Sequence, residues 1–294
     1  MELTTSQAVD LFLASLRTRS APANTIKAYR LDLRQFLKQG PTALSEVTVD
    51  VIRAFLDSHE QHKPATRRRH AATLRAFYAW LMQQGLVQSN PMERLESIGQ
   101  IERLPRPLDP DDVTKILKAI PASNLRDRAI FTLLYETGMR VGEALAIHCA
   151  DLDLTQDDEK IRVFGKGQRE RTVLLAAAPE SIRLLRRHLK HSHITAGSIF
   201  RGDPRYGGSP LPLDYSVLRK AWQNYCKQAG VQATIHQLRH SRATQLIQAG
   251  VPITTIRKQL GHRNLQSTLL YAEVDQATVK RDLLEYQRRK GKGL

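Results

Sequence analysis

Apolar residues recur at intervals of three and four through the first hundred positions, the period of helices that bury one face. Val9, Leu11, Phe12 and Leu16 mark one such stretch, and Ile26, Tyr29, Leu33 and Phe36 a second, broken at Gly40-Pro41. Val51, Ile52 and Phe55 predict a short third helix. Residues 66–84 predict a longer fourth, which opens on Arg67, Arg68, Arg69 and His70 and buries Leu74, Phe77, Tyr78 and Leu81. Gly85 stands where a glycine closes a helix. Asn90-Pro91 ends this group, so residues 1–98 are expected to form an all-α domain.

Residues 99–110 break the pattern: Pro105, Pro107 and Pro110 fall among charges with little apolar period, the composition of an extended connector. Beyond it, residues 111–294 mix two periods. Helices are expected over 111–120, 125–136 and 141–147, with Gly138 interrupting the last two. Residues 160–164 and 171–175 alternate in the manner of strands and flank Gly165-Lys166-Gly167-Gln168, a strand–turn–strand pattern. Further helices are expected over 179–190, 214–228, 236–248 and 252–259, with Gly250 and Gly261 as stops. A last amphipathic stretch, Ala277 to Tyr286, precedes the basic run Arg288-Arg289-Lys290. The fold class is therefore mainly α with a small β-sheet (α+β) in the second domain, beside a separate all-α first domain.

A chain of 294 residues can bury two cores. The formal charge of +16 narrows its partners. Residues 1–98 hold 13 Lys/Arg against 9 Asp/Glu, a net +4, which leaves +12 on the rest. A field of that sign draws polyanions, and DNA is the commonest. The two cysteines, Cys149 and Cys226, stand beside apolar residues, so core thiols are expected rather than a disulfide framework or a zinc site. The first residues lack the basic and apolar regions of a secretory signal, and no apolar run is long enough for a bilayer. The expectation is a cytoplasmic protein without a membrane partner.

The candidate chemistry is a set of scattered polar residues. Arg140 follows Gly138 at a helix start within Thr137-Gly-Met-Arg-Val-Gly-Glu143, and Glu143 lies one turn on. Lys166 sits at the tip of the expected hairpin. His236 and Arg239 are three apart and share a helix face. His262 follows Leu260-Gly261, and Tyr271 comes nine residues later. Cutting a phosphodiester without a metal requires a nucleophile, cations on the non-bridging oxygens and a proton for the leaving oxygen. A guanidinium serves the oxygens best, being planar, always charged and bidentate. Taken singly, each residue has a plainer explanation. Arg140 could be a solvated helix-start arginine, Glu143 a first-turn acid favoured by the helix dipole, and Lys166 an ordinary turn lysine. His236 and His240 form an i, i+4 pair that could suggest zinc, but no third ligand accompanies them.

Together, in this order and with these flanking residues, the motifs resemble the tyrosine recombinase (phage integrase) family. The resemblance covers residues 108–274 and extends more loosely to the first domain through Thr25, Tyr29, Asp32, Leu33 and residues 67–80. It implies a catalytic second domain and a SAM-like, core-binding first domain. The implied site is Arg140, Lys166, His236, Arg239, His262 and Tyr271, with Glu143 in support and no metal or other cofactor. Of the eight tyrosines, Tyr29, Tyr78 and Tyr225 fall on apolar helical faces, and Tyr271 alone stands where the family places its nucleophile. Arg67, Arg68 and Arg69 are candidate DNA contacts, with a solvated helix face as the alternative. The implied partners are a double-stranded recombination site, further copies in a tetramer on synapsed DNA, and an accessory protein or second recombinase. The chain starts directly in the core-binding helices, which is closer to Xer-like and transposon resolvase-like enzymes than to those with an arm-binding module. A type IB topoisomerase and a non-cutting DNA-binding protein are the competing classes; strand exchange between two sites separates them.

Overall fold

A computed structural model describes residues 3–58, 64–96, 106–165, 169–202 and 211–261. The chain divides into two compact units, Met1–Glu102 and Arg103–Leu294. The first contains four α-helices among its described residues: α1 (Thr5–Thr18), α2 (Ala23–Leu37), α3 (Val49–Asp57) and α4 (Pro64–Gln83). Their apolar stripes meet in one core, where Phe12 lies against Tyr29, Phe77 and Trp80, and Phe36 meets Phe55 edge-on. Gly85, at φ +67°, ends α4: the Leu86 N–H reaches back to the Leu81 carbonyl at 3.0 Å. Tyr78 is buried as expected, whereas Tyr29 is only half-buried at the core margin.

The basic start of α4 is engaged within its own unit. Arg67 donates to the Leu56 carbonyl at 3.2 Å and to Asp57 Oδ1 at 3.0 Å. Arg69 pairs with Asp32, a buried carboxylate that also accepts from Thr73 Oγ1 at 2.8 Å. Arg68 is half-buried. Arg67 and Arg69 thus tie helices together, a different role from a purely solvated face.

In the second unit the described helices are α5 (Pro110–Lys118), α6 (Leu125–Thr137), α7 (Val141–Leu145), α8 (Pro179–His191), α9 (Tyr215–Gln228), α10 (Ile235–Gln248) and α11 (Ile253–Leu260). The extended stretch expected to run to residue 110 is already bound to α10 from residue 106: Gln237 donates to the Arg106 carbonyl, and Leu108 N–H donates to Ser241 Oγ at 2.8 Å. Pro110 opens α5 as its first residue, and the Asp109 carboxylate caps Asp111 N–H at 2.8 Å. α6 is buried on nearly every side and packs on α8 and α10. Helix α7 stops two residues before expectation. The Ile147 N–H instead donates to the Ala144 carbonyl three residues back, at 3.3 Å, and its own carbonyl accepts from Ile199 N–H.

The sheet has order β1-β2-β3, with β1 (Leu152–Asp153), β2 (Lys160–Phe164) and β3 (Glu170–Leu174), all antiparallel. Strand β1 was not expected; two residues carry no readable period. Ile161 opposes Val173 and Val163 opposes Arg171, so these four share the core-facing side of the hairpin. Cys226 is buried, but Cys149 is only half-buried at the sheet margin, not the core thiol expected.

One polar network stabilises the helical core. Tyr225 Oη donates to the buried Asp127 carboxylate at 2.8 Å and accepts from Asn124 Nδ2 at 3.1 Å, while Arg126 pairs with Asp127. Burial, then the Asp127 carboxylate, push the Tyr225 phenol pKa well up, so it stays a donor. Tyr225→Phe removes a donor from a buried carboxylate and is expected to cost about 1–3 kcal/mol. For a domain of this size that lowers Tm by roughly 3–10 °C, read by calorimetry; an unchanged Tm would show that the network is replaceable.

Candidate active site

The site begins where α6 ends. Gly138 takes the left-handed conformation at φ +65°, and a Cβ there would stand 2.5 Å from Leu260 Cδ2, so a glycine is needed both for the turn and for the close pass of α11. The turn delivers Arg140 to the N-cap of α7. Glu143, at the third helical position, accepts from Arg140 N–H through Oε2 at 2.8 Å and from Arg140 Nη1 through Oε1 at 3.1 Å. Glu143 is 5% exposed, unlike a routine first-turn acid. A carboxylate so enclosed needs a second cation, and Arg171 on β3 supplies it, Nη2 to Oε2 at 2.8 Å.

The C-terminal turn of α11 faces these arginines. A helix ends with carbonyls that lack intrahelical donors and carry partial negative charge. Here Arg171 Nη1 donates to the Gln259 carbonyl at 2.6 Å, Arg239 Nη1 to Leu260 at 2.9 Å, and Arg140 Nη2 to Gly261 at 3.2 Å. Arg239, 4% exposed on α10, also donates through Nη1 to the Gly138 carbonyl at 2.7 Å. Residues distant in sequence, Arg140, Glu143, Arg171 and Arg239, are thereby assembled around one helix end. Helix α11 adds a small apolar cluster, Ile256 and Leu260 against Ala243 and Ile247.

His236 lies one turn before Arg239, its ring edge-on to His240 with centroids 4.4 Å apart. Burial, then Arg239 and Arg140, lower the His236 pKa. Burial, His236 and Arg239 bring His240 down to about 4. Both rings are therefore neutral near pH 7, which suits His236 to accepting a proton or a hydrogen bond. Among the described residues no cluster of three His, Cys, Asp or Glu could hold a metal ion.

The depressed His240 pKa has a consequence for stability. Between its ordinary 6.5 and about 4 the unfolded chain binds the proton that the folded chain refuses. Its contribution is fully present above the ordinary value and is lost as pH falls through that window. His240→Gln is expected to show a shallower decline of Tm from pH 6.5 towards 4 than wild type; parallel declines would remove His240 as the source.

Of the residues singled out in the sequence, Arg140, Glu143, His236 and Arg239 converge. Lys166, His262 and Tyr271, like the Ala277–Tyr286 stretch and the basic run after it, lie outside the described residues. Their described neighbours do stand at the site. Gly165, which precedes Lys166, closes the hairpin by donating to the Arg169 carbonyl at 2.8 Å, and a Cβ on it would be 3.9 Å from Glu143 Oε1. Gly261 precedes His262. Arg67, Arg68 and Arg69 belong to the other unit. Arg171 was missed in the sequence, where it reads as one polar position of a strand. Its signal was its phase: it alternates in step with Val173, on the face that should be apolar.

Among the described residues, no helix is long and apolar enough to cross a membrane. Comparison with known proteins matches residues 106–278 to the phage integrase family and residues 9–85 to the phage integrase N-terminal SAM-like domain. The chain is 31% identical over 292 residues to the tyrosine recombinase XerC of Roseiflexus castenholzii, covering 92% of this chain and 90% of that protein. It is 30% identical over 281 residues to the tyrosine recombinase XerD of Listeria monocytogenes, covering 89% and 92%. Among solved structures it is similar to a lambda integrase tetramer bound to a Holliday junction, with TM-score 0.75 and 19% identity over 92% of this chain and 77% of that one. It is also similar to the XerH site-specific recombinase bound to a palindromic difH substrate, with TM-score 0.74 and 22% identity over 96% and 85%. At such identities the structural likeness is one of fold.

Proposed function

The chain belongs to the phage integrase family and is a tyrosine site-specific recombinase, and on that premise we propose that Tyr271 is the nucleophile with which it cuts DNA. The phenolic oxygen attacks the scissile phosphorus, forming a 3′-phosphotyrosyl ester as the bond to the 5′ oxygen breaks. Lys166 gives the departing oxygen its proton, and His236 acts as acid–base partner or phosphate ligand. Arg140, Arg239 and His262 hold the non-bridging oxygens as charge shifts in the transition state, and Glu143 orients Arg140. A 5′ hydroxyl from a partner duplex then attacks the phosphotyrosine, the mirror of the first step, through a Holliday junction. One phosphate ester replaces another throughout, so the cycle requires neither ATP nor metal.

The supporting observation is the convergence of Arg140, Arg239 and His236 at the end of α11, from which the chain continues to His262. The partners are a duplex recombination site and further copies of the chain in a tetramer on two synapsed sites, with an accessory protein or second recombinase as a further partner. Arg67, Arg68 and Arg69 contribute positioning contacts to phosphates, which for Arg67 and Arg69 entails sharing donors with Asp57 and Asp32. The enzyme works in the cytoplasm. In this reading resolution of dimers or cointegrates stands ahead of integration of a mobile element, in keeping with the chain's similarity to Xer tyrosine recombinases.

The test is a suicide substrate: a duplex site selected for tight binding from random DNA, nicked near the cleavage position and incubated in EDTA. A trapped adduct whose proteolytic fragment carries nucleotide on Tyr271 supports the reading. An adduct on another residue, or none on a tightly bound site, overturns it.

A further inference from the structure

The core-facing side of the β2–β3 hairpin carries Ile161, Val163 and Val173, each no more than 2% exposed, and one charged residue, Arg171. Apolar packing does not account for a guanidinium there. Burial lowers its pKa, and the Glu143 carboxylate opposes that shift. What does account for it is a bridge: Nη2 to Glu143 Oε2 at 2.8 Å and Nη1 to the Gln259 carbonyl at 2.6 Å. A second observation is independent of those bonds. Gly261 passes so close that a Cβ on it would stand 2.3 Å from Arg171 Nε, 2.7 Å from Cδ and 2.9 Å from Cζ. Gln259 completes the link from its own side, its side-chain amide pairing with the Leu174 N–H and carbonyl at 3.3 and 2.8 Å.

We infer that Arg171 is a positioning residue of strand transfer, joining the carboxylate that orients Arg140 to the end of α11, and so setting the point from which the chain runs on to His262 and Tyr271. The inference rests on the recombinase site proposed above for its catalytic part, but the link itself is a property of the fold. Only a guanidinium has donors directed to both acceptors at once; a lysine ammonium is a point charge on a flexible stem. Among the described residues its donors go to Glu143 and the Gln259 carbonyl rather than to Arg140 or Arg239. Its effect is to keep two other groups in register, and misplacement of about 1 Å can cost ~10²-fold in rate.

The experiment compares Arg171→Lys and Arg171→Gln with wild type, alone and combined with Glu143→Gln. Full-length proteins are measured for DNA affinity, single-turnover cleavage of the suicide substrate, and amide hydrogen exchange. Both substitutions are expected to leave DNA affinity within about threefold and to slow cleavage ~10²-fold. Both are also expected to speed exchange at Leu260 and Gly261 at least tenfold while α6 keeps wild-type protection. On the Glu143→Gln background, Arg171→Gln should slow cleavage by less than threefold more. If Arg171→Lys cuts at the wild-type rate, charge alone is what matters and the bridge is wrong. Multiplicative losses in the double variant, or unchanged exchange at α11, overturn the inference too. Should wild type trap no covalent complex, the recombinase mechanism fails by itself, and the exchange measurement still decides whether Arg171 holds α11.

Discussion

Tyr271→Phe is expected to bind a nicked recombination site as tightly as wild type and to form no covalent complex with it. The substitution removes one oxygen and leaves the ring, so the packing and charge around the site are retained. On the proposed mechanism the nucleophile is lost, and no arrangement of cations replaces it. The fall in covalent product should exceed ~10⁴-fold, the scale seen when an enzyme loses its attacking atom. A denaturing gel reads the outcome, with a mobility-shift assay on the same samples to establish binding. Equal trapping by both proteins would mean that another side chain attacks the phosphorus. Loss of binding together with trapping would instead assign Tyr271 to the fold.

The second large effect falls on a residue with no side chain. Gly261→Ala is expected to lower Tm by roughly 5–15 °C and to slow cleavage by ~10²-fold or more. Two causes add. At φ +71° an L-residue costs about 1–2 kcal/mol. The new methyl would also meet the Arg171 guanidinium, which is not free to swing away because Glu143 and the Gln259 carbonyl hold it. Relief requires giving up those charge-assisted hydrogen bonds, worth about 1.5–3 kcal/mol each. Gly230→Ala separates the causes: its φ is +69°, and nothing lies within 4 Å of the added Cβ. That variant should show the backbone cost alone and cut at the wild-type rate. If Gly261→Ala melts and cuts like Gly230→Ala, the close approach of Arg171 has no energetic weight.

What was legible in the sequence was local. The four helices of the first unit follow from a repeating apolar stripe, and Gly85 and Gly261 end their helices because each takes the left-handed conformation that other residues resist. The strands around Gly165 were legible from alternation, to within one residue for β3. His236 and Arg239 could be placed together because three residues on a helix share a face. The role of Arg171 was not legible, since its partner carbonyl is 88 positions away and no period connects a strand to a helix end. The enclosure of Glu143 was hidden for the same reason: its spacing from Arg140 announces a cap, and only the tertiary approach of β3 adds the second cation. Strand β1 escaped because two residues cannot show a period, and Cys149 and Tyr29 because apolar neighbours do not fix depth.

The arginines around the end of α11 have one more implication. Guanidinium groups drawn into a single pocket repel each other, and such a cluster orders only where acceptors of opposite charge compensate it. Here Glu143 and the peptide oxygens of Gly138, Gln259, Leu260 and Gly261 are the counter-charges, and all of them belong to the chain itself. The cluster is therefore preorganised by folding alone. On the proposed mechanism DNA then meets cations whose directions are already set, and the entropy of ordering them is not subtracted from each encounter.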